Sequence, residues 1–353
     1  MRDYDEIRKE FYKKYDAKEL EQQLISFINQ KLDISNFNDA GKKYNKLINN
    51  FFEEDIYSAS TRRCGKNAKS PNDALYDDEL LDKIFTFIDT KPKFYNGNDL
   101  TNLKSFFRNG GRYSSKVANF SPNVARKIYE RYCPKKNANI LDYSCGFGSR
   151  MLGCLTSQYN YSYFGIEPNS ILTQHLNKFG EYINSFKKVE YKIYCQGSED
   201  YIEELINKID LAFSSPPYYN LEKYTNEETQ SIVKFPNYND WLQYYVKPTI
   251  KNIYNYLKDE GLFILNIKNL TQGTQEKLAD DWVKIAKNEH FILLETIDMK
   301  HQTGRMSLGK YKEENGLTNY TGIKEPLFIF KKQGSKMQIN KEKQMTIDDF
   351  IKE

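Results

Sequence analysis

From about residue 120 onward, short β-branched or aromatic runs alternate with helical patterns, and this alternation limits the possible folds most. The runs are NILDYS, YSYFGIEP, EYKIYCQG, IDLAFSSPPY and GLFILNIKN, each leading into Gly, Pro, Ser or Asn. Helical stretches such as SILTQHLNKFGEYINSF and DWLQYYVKPTIKNIYNYLK lie between them. The helix in FSPNVARKIYERY starts with Ser121 as N-cap and Pro122 at its first position. Alternating β and α units predict an α/β fold with a parallel, doubly wound sheet and helices on both faces. Ligands in such sheets bind at the carboxyl ends of the strands.

The rest of the chain reads differently. Residues 1–114 are polar and mainly helical in pattern, with Leu20, Leu24, Ile25, Phe27 and Ile28, then Leu80, Leu81, Ile84, Phe85 and Ile88, at helical spacing. They are expected to form an accessory region in contact with DNA or a partner, ahead of a catalytic domain over 115–332. Residues 333–353 read as a flexible tail. With 52 Lys+Arg against 48 Asp+Glu, the net charge of +4 neither announces a polyanionic partner nor excludes one. The 28 Tyr and 22 Phe exclude wholesale disorder. Five cysteines without a C-x-x-C pair, and three histidines, argue against a disulfide framework and a metal site. The N-terminus lacks the apolar core of a signal peptide, and no apolar run reaches a membrane-spanning length, so a cytoplasmic location is expected.

Two motifs carry chemistry. Asp142-Tyr-Ser144-Cys-Gly146-Phe-Gly148-Ser-Arg150 ends one strand and opens a helix, and its glycines allow a tight turn and close approach to a ligand. Glu167 ends the next strand about 20 residues on, where a carboxylate can accept both hydroxyls of a ribose. Gly197-Ser-Glu199-Asp200 follows the third strand, and Asp200 is the candidate for an adenine amino group. Arg150 stands where a third dinucleotide-binding glycine would fall, which disfavours an NAD-type ligand. Together these residues resemble the S-adenosylmethionine (SAM) pocket of class I methyltransferases. The resemblance implies a Rossmann-like sheet and adds Phe120 and Ser121 as cofactor contacts.

The second motif, Ser215-Pro216-Pro217-Tyr218, ends the fourth strand. It resembles the catalytic motif of SAM-dependent DNA amino-methyltransferases, with features of those carried by phages and mobile elements. An exocyclic amine is a poor nucleophile because its lone pair is delocalised into the ring. A hydroxyl from Ser215 and the Pro216 carbonyl can both accept from it and draw it towards a tetrahedral nitrogen. Tyr218 would stack on a base turned out of the duplex. Ser in this position implies cytosine N4 first, with adenine N6 as the alternative. A Pro-Cys nucleophile of the cytosine-C5 type is absent, and the Asn-Pro-Pro-Tyr of protein glutamine methyltransferases differs at Ser215. The rival from another class is a non-catalytic nucleic-acid-binding module on the same fold.

Basic loops supply the candidate DNA contacts: Arg62 and Arg63, Arg108 and Arg112, and Lys300 and Arg305. Each loop reads equally well as solvated surface. The tail offers Gln344, Ile347 and Phe350 in the spacing of a sliding-clamp binding peptide, or as a short terminal helix. The sequence leaves the oligomeric state open.

Overall fold

The computed structural model describes residues 2–12, 14–35, 37, 44–62, 68–109, 113–269, 277–299 and 325–334. Helices α1 (Tyr4–Phe11), α2 (Ala17–Ile28), α3 (Asn45–Ser58), α4 (Pro71–Leu75), α5 (Asp78–Asp89) and α6 (Asp99–Arg108) precede the alternating region, with a two-residue strand β1 (Ser60–Thr61) after α3. Then come α7 (Pro122–Tyr132), β2 (Asn139–Asp142), α8 (Ser149–Leu155), β3 (Ser162–Ile166), α9 (Ser170–Asn184), β4 (Glu190–Tyr194) and β5 (Ile209–Ser214). The remainder is β6 (Glu222–Lys223), α10 (Ser231–Lys234), α11 (Tyr238–Trp241), a π-helical turn Leu242–Val246, α12 (Lys247–Tyr256), β7 (Leu257–Asn266), α13 (Leu278–Asn288), β8 (Phe291–Met299) and β9 (Glu325–Lys332). No helix among the described residues is long and apolar enough to cross a membrane.

The seven-stranded sheet has the order β4-β3-β2-β5-β7-β9-β8. Strands β4, β3, β2, β5 and β7 are mutually parallel, as expected. At its far edge β9 pairs antiparallel with both β7 and β8. The strand order reverses between β2 and β5, and their carboxyl ends open the crevice of a doubly wound sheet.

Register fixes what meets there. Leu141 lies opposite Ala212, and Asp142 opposite Gly165. Asp142, Glu167 and Ser214 therefore emerge along one edge. The expected cap of α7 is present, with Ser121 Oγ accepting from the Val124 N–H at 3.3 Å. The aromatic content goes largely into packing, with Trp241, Trp282, Tyr129, Tyr143 and Tyr163 fully buried.

The expected boundary at residue 114 cuts across a shared core. Leu20, Leu24, Phe27 and Phe52 from α2 and α3 belong to the same buried cluster as Ala125, Ile140, Met151 and Phe179. Arg126 Nη1 donates to the Phe27 carbonyl at 2.8 Å, and the Phe52 ring meets Phe179 edge-on at 5.2 Å. Helices α1, α4, α5 and α6, joined by Tyr57 of α3, enclose a second core around Phe11, Leu81, Phe85 and Phe106. Helices α2 and α3 thus pack into the same core as the sheet.

Candidate active site

The glycine turn between β2 and α8 is left-handed at both glycines, with φ of 55° at Gly146 and 67° at Gly148. A Cβ at Gly148 would lie 2.6 Å from the Phe52 ring of α3, so both backbone and packing require glycine there. Gly146 donates its N–H to Glu167 Oε2 at 3.1 Å, and Asn169 donates to Oε1 at 3.0 Å. The carboxylate that ends β3 thereby holds the turn. Burial outweighs these bonds and raises the Glu167 pKa to about 7.

Asp142 is fully buried and internally committed. It accepts from Arg150 Nε at 2.9 Å, Tyr163 Oη at 2.8 Å and Ser214 Oγ at 2.8 Å. Arg150 also donates to the Ser144 carbonyl. The residue that breaks the dinucleotide pattern is therefore the counter-ion of the turn's acid, while its guanidinium lies 5.9 Å over the Phe120 ring. Ser121 Oγ is committed to capping α7 and to a 3.2 Å bond from Tyr44 Oη.

After β4, Asp200 and Glu199 divide unexpectedly. The Asp200 side chain is 53% exposed, whereas that of Glu199 is 5% exposed. Lys234 pairs with Glu199 Oε1 at 2.7 Å, but the buried Glu199 Oε2 accepts nothing. Tyr245, buried in the π-helical turn, lies close to Ser144, Ser198, Glu199 and Glu167, and burial pushes its phenol pKa up. Glu199 and Tyr245 were absent from the candidates. Sequence spacing could not say which of two adjacent acids faces inward, and a π turn displaces a helical register by one residue.

At the end of β5 the two serines have different partners. Ser214 Oγ is fully buried on Asp142, with the Ser144 carbonyl 3.2 Å away. Ser215 is half-buried, with no hydrogen bond for its hydroxyl among the described residues. Pro216 and Tyr218 are buried and Pro217 is half-buried. Tyr219, with a left-handed φ of 50°, donates to the Pro236 carbonyl at 2.5 Å and packs on Tyr238 and Trp241 at 5.0 and 5.4 Å. It anchors the motif through these contacts. The following segment folds back over the pocket. Tyr224 packs on Phe147 at 6.0 Å, Glu227 accepts from Ser170 Oγ at 2.8 Å, and Thr229 donates to the Pro168 carbonyl at 2.9 Å.

Residues 209–351 match the DNA methylase family model N6_N4_Mtase. The matched stretch begins at β5 and includes the Ser-Pro-Pro-Tyr motif. It supports the resemblance to DNA amino-methyltransferases, a methyltransferase enzyme as the coarse function, and SAM as its cofactor. A search of curated proteins found no match. A geranyl diphosphate methyltransferase solved with SAM is 9% identical, with a TM-score of 0.42 over 68% of this chain and 94% of that one. A TehB-like SAM-dependent methyltransferase from Corynebacterium glutamicum is 14% identical, with a TM-score of 0.38 over 67% and 97%. TrmN from Thermus thermophilus is 11% identical, with a TM-score of 0.39 over 60% and 49%. The doubly wound fold of this chain, that of class I methyltransferases, rests on its own strand order and glycine turn.

Arg62 and Arg108 are exposed, the first just after β1 and the second at the end of α6. Arg63, Arg112, Lys300 and Arg305, and the tail residues Gln344, Ile347 and Phe350, lie outside the described residues.

Proposed function

We propose that this chain is a SAM-dependent DNA methyltransferase acting on an exocyclic amino group, at cytosine N4. The observation that carries the reading is the uncommitted Ser215 hydroxyl, next to a buried Pro216, on a strand whose preceding Ser214 is tied to the glycine turn.

The pocket residues fit the cofactor. Glu167 would accept from the ribose hydroxyls. Glu199 Oε2 is buried without a donor, with the buried Tyr245 close by, and Glu199 suits the adenine amino group better than the exposed Asp200. Gly146 and Gly148 would lie against the ligand's backbone side, with Phe120 and Ser144 at its margin. Asp142 acts by holding the turn through Arg150. When bound, SAM supplies an electrophilic methyl carbon.

Ser215 Oγ and the Pro216 carbonyl would accept the two N–H groups of the target amine and localise its lone pair. Pro216 has no N–H to compete for those acceptors. Tyr218 would stack on the extruded base. Catalysis is then mainly positioning within a water-poor site. Nothing in the pocket separates cytosine N4 from adenine N6 beyond the serine itself. Mass spectrometry of nucleosides from DNA incubated with enzyme and SAM tests the reading. N4-methylcytosine supports it, N6-methyladenine moves it to the alternative, and retention of unmethylated DNA supports the non-catalytic module. The expected DNA contacts at Arg62, Arg63, Arg108, Arg112, Lys300 and Arg305, and the clamp peptide, are retained as proposals.

A further inference from the structure

The stretch between α3 and α4 meets the stretch after the catalytic motif in a short antiparallel ladder. Ser60 lies opposite Lys223 and Thr61 opposite Glu222, and Arg62 donates its backbone N–H to the Leu221 carbonyl at 2.8 Å. Beside this ladder opens a cleft of about 590 Å³, lined from one side by residues 58–62 and 68–73 and from the other by residues 220–236. Its volume falls within the roughly 300–1,000 Å³ of small-ligand pockets. Leu221 on its wall donates its backbone N–H to the Tyr218 carbonyl at 3.0 Å, so the cleft adjoins the Ser-Pro-Pro-Tyr motif.

The lining has two characters. Leu221, Ile232, Val233 and Pro236 provide an apolar wall, and Val233 is 37% exposed. The charged groups sort by commitment. Asp73 accepts from Ser70 Oγ at 2.7 Å, Glu222 accepts from Tyr224 Oη, and Lys69 is paired with Asp77 at 2.6 Å. Arg62 and Lys223, at the two ends of the ladder, are exposed and form no ion pair among the described residues. Two free cations beside an apolar wall match a nucleotide, which joins a charged phosphate to a flat, weakly polar base.

We infer that the β1–β6 cleft binds the nucleotide adjoining the target base, with Arg62 and Lys223 on its phosphates and the Leu221–Ile232–Pro236 wall against its base. The inference rests on the DNA methyltransferase reading, and it gives the region before residue 114 a direct part in holding substrate. It also separates Arg62 and Lys223 from Lys69, which lines the same cleft with its charge already paired.

The test measures binding of a 12-nucleotide single strand and of a duplex to the full chain, across a salt series, for wild type, Arg62→Gln, Lys223→Gln and Lys69→Gln. Each of the first two is expected to weaken binding about 5- to 10-fold at low salt. Each should also lower the slope of log Kd against log salt by about 0.7 for the single strand and 0.9 for the duplex. SAM affinity and melting temperature should stay at wild-type values. Lys69→Gln should leave the slope unchanged. Wild-type slopes in Arg62→Gln and Lys223→Gln, alongside methyl transfer by the wild type, would overturn the cleft and leave the functional reading standing. A slope lost equally in Lys69→Gln would reduce the effect to net charge and overturn it too. A wild type that neither binds nor methylates DNA would remove both.

Discussion

Ser214 donates its hydroxyl to Asp142 at 2.8 Å, which joins the strand bearing the Ser-Pro-Pro-Tyr motif to the glycine turn after β2. Ser215, one residue on, has no hydrogen bond for its hydroxyl among the described residues. The two serines should therefore fail differently. Ser215→Ala is expected to lower single-turnover methyl transfer by about 10²-fold or more with the melting temperature unchanged, as when a preorganised polar contact to a reacting group is removed. Ser214→Ala should instead destabilise the fold by about 1–3 kcal/mol, because it removes a donor from a buried carboxylate. Thermal melts and rapid-quench assays on the two variants check this contrast.

Arg150→Met leaves the Asp142 carboxylate, fully buried, without its counter-ion. A loss of about 3–5 kcal/mol in unfolding free energy is expected, since one member of a buried pair is removed. Denaturant titration measures it. A loss below about 1 kcal/mol would show that Tyr163 and Ser214 suffice.

Glu167 predicts a pH dependence. Its folded pKa of about 7 lies above its ordinary value of 4.5, chiefly through burial. The folded state therefore holds the proton more tightly. Its favourable contribution is complete below about pH 4.5 and is lost as pH rises through about 7, an effect of roughly 3 kcal/mol. Ribose hydroxyls favour the ionised form, so affinity for S-adenosylhomocysteine should rise between about pH 6 and 8, with proton release on binding. Calorimetry in buffers of different ionisation enthalpy reads that release, and Glu167→Gln should abolish it. A flat profile in the wild type would remove Glu167 from the ribose.

Gly148 and Phe52 should couple. Gly148→Ala puts a methyl 2.6 Å from the Phe52 ring at a φ of 67°. Trimming the ring in Phe52→Ala should return part of the loss in the double variant, leaving the backbone strain of about 1–2 kcal/mol. Strict additivity in a double-mutant cycle would contradict the contact.

The five parallel strands were readable because each is a β-branched or aromatic run closed by a breaker, and the glycine turn because its φ angles demand glycine. The inward acid after β4 was not readable, since Glu199 and Asp200 are adjacent and only the fold of Gly197 and the reach of Lys234 decide between them. Tyr245 was hidden by the π turn, and β1 and β6 are too short to leave a periodicity. The helical pattern of residues 1–114 reads as an accessory region, because amphipathic spacing says that a helix has a buried face and not what covers it. For α2 and α3 the cover is the catalytic core itself. Deleting residues 1–114 should therefore give insoluble protein, not a soluble enzyme with altered site choice.

The central claim is that Ser215 and Pro216 activate an exocyclic amine of DNA for methylation. Its most direct measurement incubates wild type and Ser215→Ala with defined DNA and isotopically labelled SAM, then identifies the labelled nucleosides by mass spectrometry. The account predicts labelled N4-methylcytosine from the wild type, reduced about 10²-fold or more in Ser215→Ala while SAM binding persists. Equal labelling by both proteins, or no labelled nucleoside from a wild type that binds SAM and DNA, would contradict it.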